Sequence, residues 1–179
     1  MSVQTFHFVT GVVQFALSFF LAIVCTYGSF KFFDLLTRDI DESAELNKNN
    51  VAVGLLLAGI LLSSALIVHS VTSPAVSTFY TYFNEDVTLL SWIKIIAYFV
   101  GYVAVAFVVA MGSIWIAIAV FVRMTRRIDE FAEIKKGNIA VAILLGTAIV
   151  IMGFFMKDGI RALLEGFAPM VDMVEVDEY

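Results

Sequence analysis

Charge is scarce in this chain, and proline and cysteine are scarcer. Of 179 residues, 15% are Asp, Glu, Lys or Arg, two are proline and one is cysteine. A single cysteine forms no internal disulfide, so Cys25 reads as a small hydrophobe inside an apolar run. The sequence contains no Ser-His-Asp set, zinc-binding spacing, phosphate loop or glycine-rich dinucleotide fingerprint. That removes the usual signs of hydrolytic, metal-dependent and nucleotide chemistry. The expectation is a protein that is not an enzyme and calls for no cofactor. A basic face is missing too: the formal net charge is −5, which does not suit a nucleic-acid partner.

What is present is apolar. Hydrophobic residues make up 61% of the chain and the mean hydropathy is +0.95, too high for a soluble domain of this length. Asp, Glu, Lys and Arg are absent from 1–30, 49–84, 95–122 and 137–156. A helix needs roughly 20 apolar residues to cross a hydrocarbon core. The second run is long enough as Val51 to about Thr72, where Pro74 is expected to break it. The fourth is short and needs the residues after Lys157 to complete it. A membrane β-barrel would alternate with period two between frequent turns, and these runs do not. The spacing therefore predicts an all-α integral membrane protein with four transmembrane helices. No basic residue precedes the first run and no small-residue cleavage site follows it, so it is expected to be retained as a span. No ionisable residue lies at the middle of any run, where ion-coupled pumps usually carry one. His7 and His69 sit near run ends, where a histidine is ordinarily tolerated and only sometimes senses protons.

The segment 37–57, TRDIDESAELNKNNVAVGLLL, returns 88 positions later as 125–145, TRRIDEFAEIKKGNIAVAILL, with 13 of 21 residues identical. Such self-similarity marks a duplication. It divides the chain into a first two-helix membrane repeat (1–88) and a second (89–179) with an acidic outer tail. Two crossings separate the copies, so both repeats run the same way through the bilayer, related by an axis along its normal. Eight of the eleven Lys and Arg residues flank the two charged segments. The positive-inside rule then makes that side cytoplasmic and places both termini and the 73–91 connection outside. The net charge of −5 comes largely from Glu85, Asp86 and the tail residues Asp172, Glu175, Asp177 and Glu178 on that outer side. Trp92 suits an interfacial anchor, whereas Trp115, lying deeper, is expected to pack on another helix.

The shared motif is Ile-Asp-Glu-x-Ala-Glu followed by Lys and Asn. Its candidate site residues are Asp41, Glu42 and Glu45 with their counterparts Asp129, Glu130 and Glu133. Helix chemistry alone calls for these residue types. Acids at the start and Lys at the end complement the dipole of a short surface helix. Asn49 or Gly137 suits a left-handed cap, and Asn50 or Asn138 an N-cap for the next span. The other reading is that the two acidic clusters, brought together about the axis, bind a cation, a polyamine or a basic cytoplasmic partner. Hard cations take oxygen ligands, although this spacing is no known metal loop and no histidine joins it.

Small residues recur at matched places: Gly54 and Ala58 in the second span, Ala142 and Gly146 in the fourth. A small-xxx-small pair lets helix backbones approach, so these residues are expected to form the contact between those spans. Beyond Lys157, Ile160, Leu163, Leu164 and Phe167 fall on one helical face. They make either an amphipathic helix along the outer interface, ended by Pro169, or a continuation of the fourth span with Lys157 and Arg161 snorkelling.

The paired motif, IDE-x-AE-L/I and then Lys-Gly-Asn-x-Ala-Val-Ala in the second copy, resembles the YjfL-like family of small bacterial inner-membrane proteins, a domain of unknown function with two such repeats. The first copy departs from it at Asn49 and Gly54. The resemblance implies a multi-pass protein of the bacterial cytoplasmic membrane and, through gene neighbourhood, membrane-stress proteins or polyamine-related enzymes as associates. It supplies no site residues. The leading expectation is a homo-oligomeric scaffold in the lipid bilayer, serving envelope or membrane-stress maintenance through a cytoplasmic partner. The alternative is a channel or small-molecule transporter, for polyamines among others, with its path between helices or subunits.

Overall fold

A computed structural model describes residues 3–37, 41–84, 88–125 and 129–168. Ile40, Ile128, Glu85, Asp86, Pro169 and the acidic tail lie outside the described residues, as do the side chains of His7 and Glu42. The described chain is helical, in the order α1 (Val3–Leu36), α2 (Glu42–Asn47), α3 (Val51–His69), α4 (Thr72–Asn84), α5 (Leu89–Met124), α6 (Glu130–Lys135) and α7 (Ile139–Phe167). Four segments are long and apolar enough to cross a membrane: Gly11–Leu36, Val51–Tyr82, Leu89–Met124 and Ile139–Phe167. The protein is thus an all-α, multi-pass membrane protein.

Two helices at the centre carry the packing. α3 and α7 make the most extensive contact in the molecule, with α1 and α5 against their flanks. One half of the core lies toward the two charged segments and gathers Phe33, Val53, Leu56, Ile60, Ile114, Ile134, Leu145 and Ile149. The other half lies toward the opposite end, hereafter the far end, around Ile67, Val68, Val71, Tyr102, Ile160 and Leu164. Outward faces carry Phe15, Phe19, Ile23, Val108, Phe154 and Phe155, all exposed, as lipid-facing helix surfaces do. Trp115 belongs to them: at 61% exposure it faces outward and does not pack on a neighbouring helix as its depth in the run suggests.

Proline does not break the second span where expected. α3 ends in a tightened turn in which the amides of Ser70 and Val71 donate to Ile67 O and Val68 O. The chain then turns helical again at Thr72. Pro74 is the third residue of α4, inside the first turn, where an amide has no partner within the helix and its loss costs nothing. The region after Pro74, expected as an external connection, is therefore helix as far as Asn84. α4 packs along the start of α5, with Thr78 Oγ1 and the Tyr102 hydroxyl 3.0 Å apart. The fourth span resolves as the continuation. α7 runs unbroken through Lys157 and Arg161 to Phe167, burying Ile160 and Leu164 while Leu163 and Phe167 stay exposed.

Several hydroxyls inside the apolar layer return to backbone, those of Ser64, Thr78 and Ser113 among them. Ser64 Oγ bonds Ile60 O at 2.8 Å and lies 2.5 Å from Ser29 Oγ of α1. This ties α1 to α3 with a bond that water cannot compete for.

Candidate functional site

The duplicated motif folds into the same hydrogen-bonded turn in both places. Asp41 and Asp129 are N-caps of α2 and α6, their Oδ1 atoms accepting from the amides of Ala44 and Ala132 at 2.9 and 3.1 Å. Each short helix stops at a residue of positive φ, Asn49 at 59° and Gly137 at 90°, values that only Gly, Asn or Asp adopt readily. Asn50 and Asn138 then cap α3 and α7. The glutamates join the pieces. Glu45 accepts from Lys48 Nζ and Asn50 Nδ2, both at 2.9 Å. Glu133 accepts from Lys136 Nζ at 2.9 Å and Asn138 Nδ2 at 3.0 Å. These bonds hold both carboxyls below the ordinary glutamate range, the asparagine bond contributing most and the lysine next.

Both carboxylate oxygens of Glu45 and of Glu133 are therefore occupied by donors of their own segment. A cation would have to displace an ammonium and an amide, so the geometry favours the helix-terminal reading of these residues over a cation site. Glu130 is used differently. It is 3% exposed and accepts from Thr125 Oγ1, whose hydroxyl also reaches Phe121 O. Thr37, the residue matching Thr125, bonds Phe33 O in the same way. Glu42 begins α2.

One side chain joins the two segments. Asn50 Nδ2 also reaches the carbonyls of Ile134 and Lys135 at the end of α6, at 3.3 and 3.0 Å. Both charged segments therefore lie at one end of the helix bundle. Lys135 adds a further small downward pull on the Glu45 carboxyl.

The expected packing residues are only partly those that meet. α3 and α7 do touch, and Ala142 and Gly146 are buried in the contact. Ala58, however, is exposed and Gly54 is half-buried beside Leu46. The residue opposite Gly146 is Gly59: a methyl group there would lie 2.8 Å from Gly146 Cα and 3.0 Å from its carbonyl oxygen. Farther along, Ser63 stands in the space a side chain on Gly153 would need. The helices cross one position away from the matched pair, because the facing stripe of α3 is Ala52, Leu56, Gly59, Ile60 and Ser63, all buried.

A second polar site lies at the far end. A cavity of about 860 Å³ opens between α1, α3, α4 and α7. His69 is 18 residues from the start of α3 and Lys157 18 from the start of α7, which places both about 27 Å along their helices. That is the far boundary of a hydrocarbon layer of about 30 Å. Ser70 Oγ donates to Lys157 O at 2.9 Å. Arg161 Nε pairs with Glu165 at 2.8 Å, and Ser73 Oγ donates to the same carboxylate oxygen at 2.9 Å. Lys157 Nζ lies 4.3 Å from the Phe154 ring centre. The offset of 88, carried past the identical stretch, pairs His69 with Lys157, Ser70 with Asp158 and Ser73 with Arg161. No pair shares a residue type, so the duplication does not mark this site.

Comparison with curated proteins returned no match, and neither did comparison with solved structures. Residues 7–160 match the sequence profile of DUF350, described as a domain of unknown function, a match that takes in α2 through α6, both acidic motifs and most of α1 and α7. The chain therefore belongs to the DUF350 family.

Proposed function

We propose that this protein is a non-enzymatic scaffold of the bacterial cytoplasmic membrane, a homo-oligomer of two parallel two-helix repeats that presents its charged end to a cytoplasmic partner in envelope or membrane-stress maintenance. One observation carries the reading. The charge of the duplicated motif is spent on shaping two turns and holding them at one end of the bundle, with Asp41, Lys48, Asp129 and Lys136 left on the rim. A rigid paired surface of this kind suits docking better than turnover, since the carboxylates that would do acid–base work are already bonded. The basic residues around it favour the cytoplasmic side.

Two experiments test this. Purification in mild detergent should recover a cytoplasmic or membrane-stress protein, and Glu45→Gln with Glu133→Gln should release it. Purification without a partner under every condition sinks the scaffold. For orientation, in a Cys25→Ala background, cysteines at Ser2 and Tyr179 should react with an impermeant reagent on intact cells and one at Ser43 should not. The reverse pattern inverts the assignment.

A transporter is the second reading, favoured by the far-end cavity, which reaches down to Leu62, about 16 Å along α3 and so near mid-membrane. Protein in liposomes should then pass ions or a polyamine. Flux equal to that of empty liposomes removes this option.

A further inference from the structure

The far-end cavity changes character along its length. Toward the middle of the membrane its wall includes Leu62, Ala65 and Leu66; toward the far boundary it includes His69, Lys157, Arg161, Ser73 and Tyr80, with one carboxylate, Asp158, beside the two cations. A smaller, mostly apolar cavity of about 120 Å³, hereafter the branch, adjoins it, sharing Ala65, His69 and Thr72 and lying against Leu21, Ala22 and Val68. The ligand that matches such a gradient has a hydrocarbon part and a charged head in the same molecule.

Thr72 marks the junction. It is 5% exposed, and its Oγ1 has no hydrogen-bond partner among the described residues. A buried hydroxyl left unpaired is costly, and Thr72 borders both spaces. Thr72 is also the first residue of α4, a helix of 13 residues, so its backbone amide and that of Ser73 stand where a helix favours anions. Two cations complete the wall. Lys157 makes no ion pair among the described residues, its ammonium resting on a phenyl face. Arg161 uses Nε for Glu165 while Nη2 reaches only Ser73 Oγ, at 3.4 Å. Guanidinium, ammonium, hydroxyl and helix-start amides together are the chemistry that recognises a phosphate.

We propose that this cavity holds a phospholipid of the leaflet at the far end. Its phosphate sits between Lys157, Arg161 and the start of α4, accepting from Thr72 Oγ1, and its acyl chain lies along Leu62 and Leu66 and into the branch beside Leu21. The proposal stands apart from the scaffold reading, which concerns the opposite end.

The test uses the full chain purified in detergent and measures both thermal unfolding and bound mass by native mass spectrometry. The probes are dioleoyl phosphatidylglycerol, dioleoylglycerol (the same tails without phosphate) and inorganic phosphate. Only the phospholipid should raise the unfolding midpoint and appear as a bound mass. Lys157→Gln with Arg161→Gln should weaken its binding roughly tenfold or more, as expected for lost charge-assisted bonds. Thr72→Val is the control for folding. It removes a hydroxyl that has no partner among the described residues, so the lipid-free midpoint should hold or rise while phospholipid binding falls roughly threefold to tenfold. Equal binding of dioleoylglycerol overturns the role of the phosphate, and an equal effect of inorganic phosphate overturns the role of the chains. Unchanged phospholipid binding in both variants overturns the site.

Discussion

Replacing Gly59 by alanine adds one methyl group at the α3–α7 crossing and should destabilise the protein, although alanine is the better helix former. The geometry sets the sign. A methyl at Gly59 would meet the backbone of Gly146 at 2.8–3.2 Å, and backbone cannot rotate away as a side chain can. The two helices must separate, and they form the largest contact in the molecule. Overpacking of this kind costs about 1–3 kcal/mol, at the upper end when the obstacle is backbone. Against it stands a gain of about 1 kcal/mol from helix propensity. The net loss is about 1–2 kcal/mol, or a midpoint about 2–8 °C lower for a chain of this size. The reverse substitution behaves differently. A methyl at Gly146 meets Leu55 O at 3.4 Å and Gly59 Cα at 4.0 Å, which is ordinary contact, so Gly146→Ala should leave the midpoint unchanged or slightly higher. Gly101→Ala, on an open face of α5 with nothing within 4 Å, supplies the propensity gain alone. Thermal unfolding of the three variants in one detergent, followed by tryptophan fluorescence, decides the matter. Equal midpoints for the Gly59 and Gly146 variants would refute a crossing centred on Gly59.

The charged segments support a second asymmetry. Asn50→Ala removes an N-cap worth about 1 kcal/mol and also the bonds to Ile134 O and Lys135 O, so its midpoint should fall further than that of Asn138→Ala. Acid should destabilise through the same turns. Glu45 and Glu133 titrate below their ordinary value of 4.5 when folded, so their contribution is present above that value and is lost as pH falls through the lower folded values. Midpoints measured from pH 6 to pH 3 should drop below about 4.5 in the parent, and the drop should shrink in Glu45→Gln with Glu133→Gln. Within the apolar layer, Ser29→Ala should cost about 0.6 kcal/mol, the usual worth of an interhelical hydrogen bond there, because Ser64 keeps its bond to Ile60 O. A loss of several kcal/mol would mean that the Ser29–Ser64 pair has no such fallback.

Local chemistry makes most of the fold legible in the sequence. Four apolar runs, acids at the start of two short helices, two asparagine caps and the left-handed residues at Asn49 and Gly137 are all properties of short stretches, and each recurs where residue type and position require it; that Asp41 and Asp129 are themselves the caps is the structure's addition. Relations between helices are not legible in the same way. Small residues at 54, 58, 142 and 146 identify which helices meet, yet the crossing angle selects Gly59 over Ala58, and no single-sequence pattern contains that angle. Trp115 departs from expectation because depth in a run says nothing about which face of the helix a side chain occupies. Pro74 is no stop because proline in a first turn differs from proline in a helix interior only by where the helix begins, and Thr72 sets that boundary. The far-end cavity is hidden because its residues lie outside the identical stretch and lack a shared motif.

The reach of the Asn50 amide has a consequence for how the protein is made. Its bond to Glu45 spans five residues, so the first turn can close as soon as that stretch of chain leaves the ribosome, at little cost in loop entropy. Its bonds to Ile134 O and Lys135 O span 84 and 85 residues and must wait until α5 and α6 have been synthesised. A single side-chain amide thus takes part in an early local step and a late docking step. Until then one hydrogen of Asn50 awaits a carbonyl. The docking step follows when the end of α6 arrives to accept it, ahead of α7 in the chain.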